Sequence, residues 1–215
     1  MKLSRVLSAA VVSFGLVAPH PAFAADAGSN DPALASPAER RSGLVVGLSA
    51  GLSLGTASGY PNDIQKVDVP AYYAAGGLMP GYGGSAFVMG ALADVFNFGL
   101  FGGTSRLGNG DWSMTGYVGG FRLEAFPLYS VRPALRDLGF VAQFGVGAAR
   151  LDPSRGSYEG AAGTQSVLGA GAFYELRPVR HLTIAPTVEY NYITASSIDA
   201  YWLQLGVRVA FYSGP

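Results

Sequence analysis

A twelve-residue segment near the C-terminus alternates with a period of two between apolar residues and mostly small or polar ones. Its first set consists of Tyr201, Leu203, Leu205, Val207, Val209 and Phe211. The positions between them are Trp202, Gln204, Gly206, Arg208, Ala210 and Tyr212. A period of two places the two sets on opposite faces of a β-strand. We therefore predict a strand over residues 201–212 with one wide apolar face and one face that carries a charge.

Such a strand fits two kinds of protein. A half-buried strand of a soluble protein turns its apolar face to the core, whereas a strand of a membrane barrel turns it to lipid and its polar face to the lumen. The N-terminus favours the second kind. Residues 1–24 combine the charges of Lys2 and Arg5 with an apolar stretch and an A-x-A sequence that ends at Ala24, which is typical of a secretory signal peptide. The alternative is a membrane anchor, but the apolar stretch is shorter than the ~20 residues that a span needs.

The amino-acid composition further limits the type of protein that this chain can be. Cleavage after Ala24 leaves 12 basic and 14 acidic residues, so the mature chain lacks the basic field that attracts nucleic acid. There is no cysteine, and an exported chain without disulfides takes its stability from burial and backbone pairing. Glycine supplies 31 residues without a collagen-like period, which weakens helices and suits turns and crowded strand faces.

The rest of the chain divides into two parts. Residues 25–42 are polar, contain two prolines and have no apolar period, so we predict a flexible leader. Residues 43–215 form one domain in which eight segments read as strands separated by Gly, Pro, Asn and Asp. The first strand begins at Gly43, and the other seven cover residues 85–95, 98–105, 113–126, 140–149, 167–177, 182–193 and 201–212.

The first strand has a helical alternative. The four glycines at positions 43, 47, 51 and 55 are four residues apart, a spacing found on the packed face of transmembrane helices. The apolar run is too short for a membrane helix, and later segments alternate by two, so we predict a strand. Pro186 interrupts a later strand, and because proline lacks an N–H, a bulge or locally open pair is expected there.

The predicted connections between strands mostly alternate between longer and shorter segments. If the N-terminus is periplasmic, the outer loops cover residues 57–84, 106–112, 150–166 and 194–200. The periplasmic turns then lie near residues 96–97, 128–138 and 178–181. Long outer loops and short periplasmic turns are typical of outer-membrane barrels, and only the 128–138 connection is longer than usual. An even number of strands places both termini on one side.

The charged residues of the predicted strands fall on the polar faces. The predicted lumen charges are Arg122, Glu124, Glu175, Arg177, Glu189 and Arg208. The interior of an eight-stranded barrel is just wide enough for side chains to fill it, and an isolated charge there is costly. We therefore expect a structural network of Arg–Glu pairs. A narrow ion path lined by these charges and a binding site are the alternatives that remain open.

Aromatic residues recur near the predicted strand ends. Tyr and Trp gather at both boundaries of a membrane, which predicts an aromatic girdle. Its predicted members are Trp112, Tyr174, Tyr190, Tyr192, Tyr201 and Phe211. The aromatic residues of the first loop, residues 57–84, either belong to such a belt or contact a partner surface.

The sequence offers little catalytic chemistry. Beyond the signal peptide the one histidine is His181, and Glu189 lies eight residues along the strand, ~26 Å away at strand rise. Cysteine is absent, and no His cluster suggests a transition-metal site. No phosphate-binding glycine loop is found either. We predict no catalytic residues, no cofactor and no metal, and therefore no enzyme.

The turn and alternating strand in RPVRHLTIAPTVEYNYI and the terminal strand YWLQLGVRVAF, together with the strand count, carry a resemblance. The chain resembles the small eight-stranded outer-membrane β-barrel proteins, the superfamily of the OmpA transmembrane domain and OmpX-like barrels. The resemblance implies an all-β, eight-stranded antiparallel up-and-down transmembrane β-barrel. It also implies the outer membrane of a Gram-negative cell and insertion by the barrel-assembly machinery.

The function that we expect is structural or interactive. A monomeric barrel in outer-membrane lipid, with a plugged polar lumen, would display loop 57–84 to a surface partner. Three alternatives stay open: a small passive pore for ions or solutes, a lipid-modifying barrel enzyme built around His181, and a soluble barrel that binds an apolar ligand. The inward Arg and Glu residues oppose the last of these.

Overall fold

The computed structural model describes residues 41–155, 159–195 and 197–214. The predicted signal peptide and residues 25–40 of the predicted leader lie outside these ranges. The strands are β1 (Gly43–Gly59), β2 (Ala74–Ala75), β3 (Met79–Ala93), β4 (Phe96–Gly108), β5 (Trp112–Ala125), β6 (Leu138–Pro153), β7 (Ala161–Tyr174), β8 (Leu176–Val179), β9 (Leu182–Thr194) and β10 (Ile198–Tyr212). Two single-turn 3₁₀ helices cover Pro70–Tyr72 and Pro133–Leu135. Among the described residues no helix is long and apolar enough to cross a membrane.

Eight long strands close into a barrel. Each pairs antiparallel with its neighbours in the order β1, β3, β4, β5, β6, β7, β9 and β10, and β10 then pairs with β1. The short strands β2 and β8 add to β1 and β9 at the two ends. Closure leaves no long unpaired strand edge. The predicted eight-stranded, antiparallel up-and-down β-barrel fold is confirmed.

The alternation seen in the sequence decides which side chains face inward. In β10, Leu205 is 59% exposed on the outer face, whereas Arg208 and Ala210 are buried inside. In β1, Leu48 and Leu52 point outward and Ser49 points inward. The predicted strand, rather than a glycine-seamed helix, is confirmed for this segment.

The strands are longer than predicted at the end that carries the longest loop. β1 runs to Gly59 and β3 begins at Met79, so the first loop spans residues 60–78 instead of 57–84. The start of β3 escaped prediction because its Pro and Gly residues show no apolar alternation, while backbone pairing with β1 and β4 needs no side-chain pattern. The other connections at this end, called the loop end below, are residues 109–111, 154–160 and 195–197.

The opposite end, called the turn end, carries two connections of two residues, one of twelve residues, and both ends of the described barrel. Its connections are residues 94–95, 126–137 and 180–181. The ladder opens there opposite Pro186. Pairing of β7 with β9 stops at Phe173 and Thr187 and resumes between Leu176 and Ile184. The predicted local opening at this proline is therefore confirmed.

The seam between β1 and β10 depends on a pair of facing glycines. Gly51 lies opposite Gly206, and a Cβ atom at Gly51 would lie 2.4 Å from the carbonyl oxygen of Leu205. Real Cβ atoms do not approach that closely, so glycine is required where the two strands curve tightly against each other. The glycine content therefore serves the closure of a narrow barrel.

Candidate functional site

A continuous chain of ion pairs crosses the barrel interior toward the turn end. Arg208 of β10 lies at its centre and is fully buried. Its Nη2 donates to Oε2 of Glu124 on β5 over 2.7 Å, and its Nε donates to Oε1 of the same carboxylate over 3.1 Å. Its Nη1 donates to Oε1 of Glu175 over 3.1 Å. One guanidinium therefore joins carboxylates from different walls of the barrel, and this charge-assisted, partly bidentate geometry is the strong kind.

Arg122 extends this series of ion pairs toward the middle of the barrel. Its Nε donates to Oε1 of Glu124 over 3.0 Å, and its Nη2 donates to Oε1 of Glu189 over 3.3 Å. Gln143 donates to the other oxygen of Glu189 over 3.1 Å. Every carboxylate in this group therefore accepts from at least two donors, which offsets the desolvation that burial imposes on charges.

Arg41 extends this series of ion pairs toward the turn end. Sequence analysis missed Arg41 because it falls in the predicted leader. It is fully buried. Its Nη2 lies 2.9 Å from Oε2 of Glu175 and 2.8 Å from Oδ1 of Asp137. Its backbone N–H donates to Asp94 over 2.8 Å. Arg41 thus belongs to the barrel, and the adjacent arginine pair at positions 40 and 41 was the one sequence signal for it.

Aromatic rings surround the buried guanidinium groups. Arg41 lies 3.5 Å from the ring centroid of Phe126. Arg208 lies over Phe173 at 4.6 Å and over Phe87 at 5.0 Å, and Arg122 lies over Phe87 at 4.8 Å. Cation–π contacts of this kind contribute about 2 kcal/mol when desolvated. The rings also exclude water from the ion pairs, so the interior at the turn end is filled by charges and aromatic groups together.

The six predicted lumen charges all lie on the interior faces. Five of them are buried, and Arg177 is less deeply placed, with its Nη2 donating to Glu175 over 3.1 Å. Tyr212 also lies inside, where its hydroxyl donates to Glu175. The two-residue periodicity placed the charges on the inward faces of the strands. Which of them form ion pairs follows only from the closed barrel.

The interior near the loop end is apolar. Its buried members include Met79, Leu107, Met114, Leu151, Ile193, Ile198 and Trp202. This cluster was not predicted, because Met79, Leu107, Leu151 and Ile198 had been assigned to loops and the register that brings them together with the inward strand residues was not known. The two halves of the interior differ sharply in polarity, and the apolar half forms the conventional core of the barrel.

A small polar cavity separates the two halves. It has a volume of about 20 Å³, and its lining includes Ser105, Gln143, Glu189 and Trp202. Ser105 Oγ and Trp202 Nε1 have no hydrogen-bond partner among the described residues. A cavity of this size and polarity holds about one water molecule, which would satisfy these groups without opening a path.

The first loop crosses the mouth of the barrel at the loop end. The N–H of Tyr60 donates to the carbonyl of Ser197 over 2.6 Å, and Asn109 donates to the carbonyl of Gly76 over 2.7 Å. Lys66 Nζ donates to Glu159 over 2.6 Å, and this hydrogen bond raises the pKa of Lys66. The loop is therefore tied to three other connections and covers the apolar cluster beneath it.

The outer face of the barrel is apolar on every strand. Large exposed residues of this face, called the apolar belt below, include Leu48, Leu52, Val88, Leu100, Phe121, Phe144, Val146, Leu168, Val188 and Leu205. Phe98, Phe121 and Phe144 stack in a row, with neighbouring centroids 5.7 and 5.3 Å apart. Soluble monomers rarely expose continuous apolar patches larger than a few hundred Å², and this belt surrounds the molecule.

The predicted girdle residues occupy both ends of the belt, with one exception. Tyr174 and Phe211 lie near the turn end, while Tyr190, Tyr192 and Tyr201 lie in the half nearer the loop end. Trp112 does not lie with them, because it packs against the apolar interior cluster. It begins β5 in the same phase as the inward residues Met114 and Gly116, so the prediction for Trp112 is corrected to an interior position.

His181 contacts the terminal strand of the barrel. Its Nδ1 lies 3.0 Å from the carbonyl oxygen of Tyr212, and its ring lies 5.8 Å from that of Phe211. These contacts fix the last turn of the barrel against its terminal strand. No group of three or more His, Cys, Asp or Glu residues in the described part of the chain has the arrangement of a metal site.

Similarity to known proteins is found in the structure and not in the sequence. No family model and no curated protein matches the sequence. The fold is similar to that of Ail, the attachment invasion locus protein of Yersinia pestis, at 15% identity and a TM-score of 0.51, covering 78% of this chain and 98% of that one. Neisserial surface protein A is 13% identical, with a TM-score of 0.49, and the match covers 79% of this chain and 97% of that one. The N-terminal β-barrel domain of OprF from Pseudomonas aeruginosa is 14% identical, with a TM-score of 0.41, and the match covers 78% of this chain and 97% of that one. The likeness to Ail shows that the chain has the fold of small eight-stranded outer-membrane barrels.

We expect the replacement Arg208→Met to lower the free energy of unfolding by about 3–5 kcal/mol, because it leaves Glu124 and Glu175 buried without their shared cation. Urea unfolding in detergent micelles, followed by tryptophan fluorescence, measures this. The matched control is Arg180→Met, an exposed arginine whose loss should change stability by less than about 0.5 kcal/mol.

Adding Glu124→Gln to Arg208→Met should destabilise by less than the sum of the two single changes, because the two residues share one ion pair. Equal stability of the Arg208→Met and Arg180→Met variants would show that the interior network contributes nothing to the fold.

Proposed function

We propose that this protein is a monomeric integral β-barrel of the outer membrane of a Gram-negative cell, with a structural and interactive role. The apolar belt is the observation that carries the proposal. It covers every strand of a closed barrel, and only a lipid environment removes so much apolar surface from water. The aromatic residues toward both ends of the belt suit the two membrane boundaries.

The same proposal assigns the route to the membrane. The chain is exported by the signal peptide over residues 1–24, cleaved after Ala24, and inserted by the barrel-assembly machinery. The turn end, which carries two two-residue turns and both termini, then faces the periplasm, and the loop end, which carries the longest connection, faces outward. This orientation gives the longest loop to the cell surface.

We propose that the lumen is plugged rather than conducting. Three features support this: the ion-paired chain centred on Arg208 fills the turn-end half, the apolar cluster fills the other half, and the first loop crosses the mouth. An ion would have to displace paired guanidinium groups and then pass an apolar layer, and both steps are costly.

The first loop offers the surface for a partner. Its exposed apolar and aromatic residues are Ile64, Val69, Tyr72, Tyr73 and Leu78. The ion pair of Lys66 with Glu159 and the tilted contact between the rings of Tyr60 and Tyr73, with centroids 5.2 Å apart, hold the loop in one shape. A pre-organised aromatic surface loses little entropy on binding, so this loop is where a surface interaction would form.

The belt can be tested by placing a charge in it. We expect Leu52→Arg to destabilise the barrel in lipid vesicles by about 2–4 kcal/mol, because its side chain, 75% exposed on the outer face, would bring a charge into the hydrocarbon. Ile64→Arg is the matched control, since Ile64 is 92% exposed in the first loop and its replacement should be neutral. Urea titration of vesicle-inserted protein measures both, and equal effects would contradict lipid contact at Leu52.

The plugged lumen can be tested by conductance. We expect the purified barrel to give no single-channel steps in a planar bilayer, and Arg208→Met to give none either while the loop-end cluster stays in place. Steady steps from the wild-type barrel whose ion selectivity changes in Arg122→Gln would contradict the plug and support the pore alternative.

A further inference from the structure

Two arginines share a row on the outer wall at the loop end. Arg106 of β4 and Arg150 of β6 both lie beside Thr115 of β5, one on each side. Neighbouring strands are ~4.8 Å apart, so the backbones of the two arginines are about 10 Å apart. Both residues are exposed. They lie just beyond the apolar belt, where a membrane places lipid headgroups.

Arg150 is held in an orientation that leaves most of its donors open. Its Nε donates to Oδ1 of Asp152 over 2.7 Å, and its side chain is 71% exposed. A guanidinium has five N–H donors in a fixed fork, so the single bond to Asp152 positions the group without using its outer edge. Asp152 offsets one positive charge, and Arg106 keeps the row positive.

Two grooves lie on this wall, one at the row and one below it, and residues of β6 and β7 line both. The upper groove, of about 470 Å³, is lined by Arg150 together with Thr115, Tyr117 and Ala148. The lower groove, of about 480 Å³, is lined mainly by apolar residues: Ala142, Phe144, Leu168, Ala170, Tyr190 and Tyr192. Ala142 and Ala170 form a cross-strand pair of small residues, next to the larger pair of Phe144 and Leu168. The wall of β6 and β7 thus offers a charged groove above an apolar one.

The spacing of the two grooves matches one lipid leaflet. Arg150 and Ala142 are eight residues apart on β6, which is about 26 Å along a strand and about 19 Å along the membrane normal at a tilt of ~45°. Half of a bilayer, headgroups included, is about 20 Å thick. A lipid phosphate at Arg150 therefore places its acyl chain over the lower groove.

We propose that this wall binds an anionic, phosphate-bearing lipid. Arg150 and Arg106 bind the phosphate, for which the guanidinium fork is suited, and an acyl chain occupies the groove over Ala142 and Ala170. The proposal rests on the membrane location proposed above and adds a specific lipid class to it. A free phosphate ion would meet the arginines but gain nothing from the lower groove.

Native mass spectrometry of the barrel released from detergent micelles tests this. The probes are dimyristoyl phosphatidic acid, phosphatidylcholine with the same chains, and inorganic phosphate. We expect phosphatidic acid to bind about tenfold more tightly than phosphatidylcholine, which corresponds to about 1.4 kcal/mol. The double replacement Arg106→Gln and Arg150→Gln should abolish that preference. The control double replacement Arg132→Gln and Arg180→Gln, which removes the same charge at the turn end, should keep it.

Ala170→Phe separates a lipid from a free ion. It fills the lower groove with an apolar side chain, so we expect weaker binding of phosphatidic acid with the fold intact. Equal retention of the two lipids by wild type, or an unchanged preference in the Arg106 and Arg150 variant, would overturn the proposal. Competition by inorganic phosphate alone, with no effect of Ala170→Phe, would overturn the acyl-chain site.

Different results would contradict the membrane location and the lipid site. Insertion into vesicles is measured separately, by a heat-dependent change of mobility in SDS. A barrel that does not insert contradicts the membrane location, whereas a barrel that inserts but retains both lipids equally contradicts only the lipid site.

Discussion

The buried guanidinium of Arg208 is the interaction on which the interior of this barrel depends. It binds Glu124 on one wall and Glu175 on another, and through them it connects to Arg122 and Arg41. Because buried charges are stable only when they are paired and hydrogen-bonded, each member constrains the position of the next. The narrow lumen and the closed ladder bring these residues close enough to pair, and the pairs in turn tie together strands that the ladder alone does not join.

The outer and inner faces of the barrel follow from the same period of two, but they meet different requirements. The outer face needs only apolar surface, and β10 supplies it at every second residue from Tyr201 to Phe211. The inner face must fill a fixed volume, and it does so with charges and aromatic rings near the turn end and with aliphatic side chains near the loop end. That division of the interior is the basis on which we propose a plugged lumen.

Sequence analysis predicted the strand count, the inward and outward faces and the interior positions of the charges, because each depends on local alternation. It could not predict contacts between distant strands, and it therefore missed the burial of Arg41 against Glu175 and Asp137. It also shortened β3, whose glycine-rich start pairs through the backbone alone. Trp112 was misplaced for a related reason, since one aromatic residue at a strand end does not reveal which face it occupies until the register is known.

The most direct test of this account is the accessibility of nitroxide labels placed one at a time along β10 in lipid vesicles. Labels at Leu203, Leu205 and Val207 should collide with dissolved oxygen, which concentrates in the hydrocarbon, and should be protected from a water-soluble nickel complex. Labels at the inward positions Gln204 and Ala210 should be protected from both, because the interior is filled. A nickel-accessible signal at the outward positions, or loss of the two-residue period, would contradict a lipid-facing belt around a filled barrel.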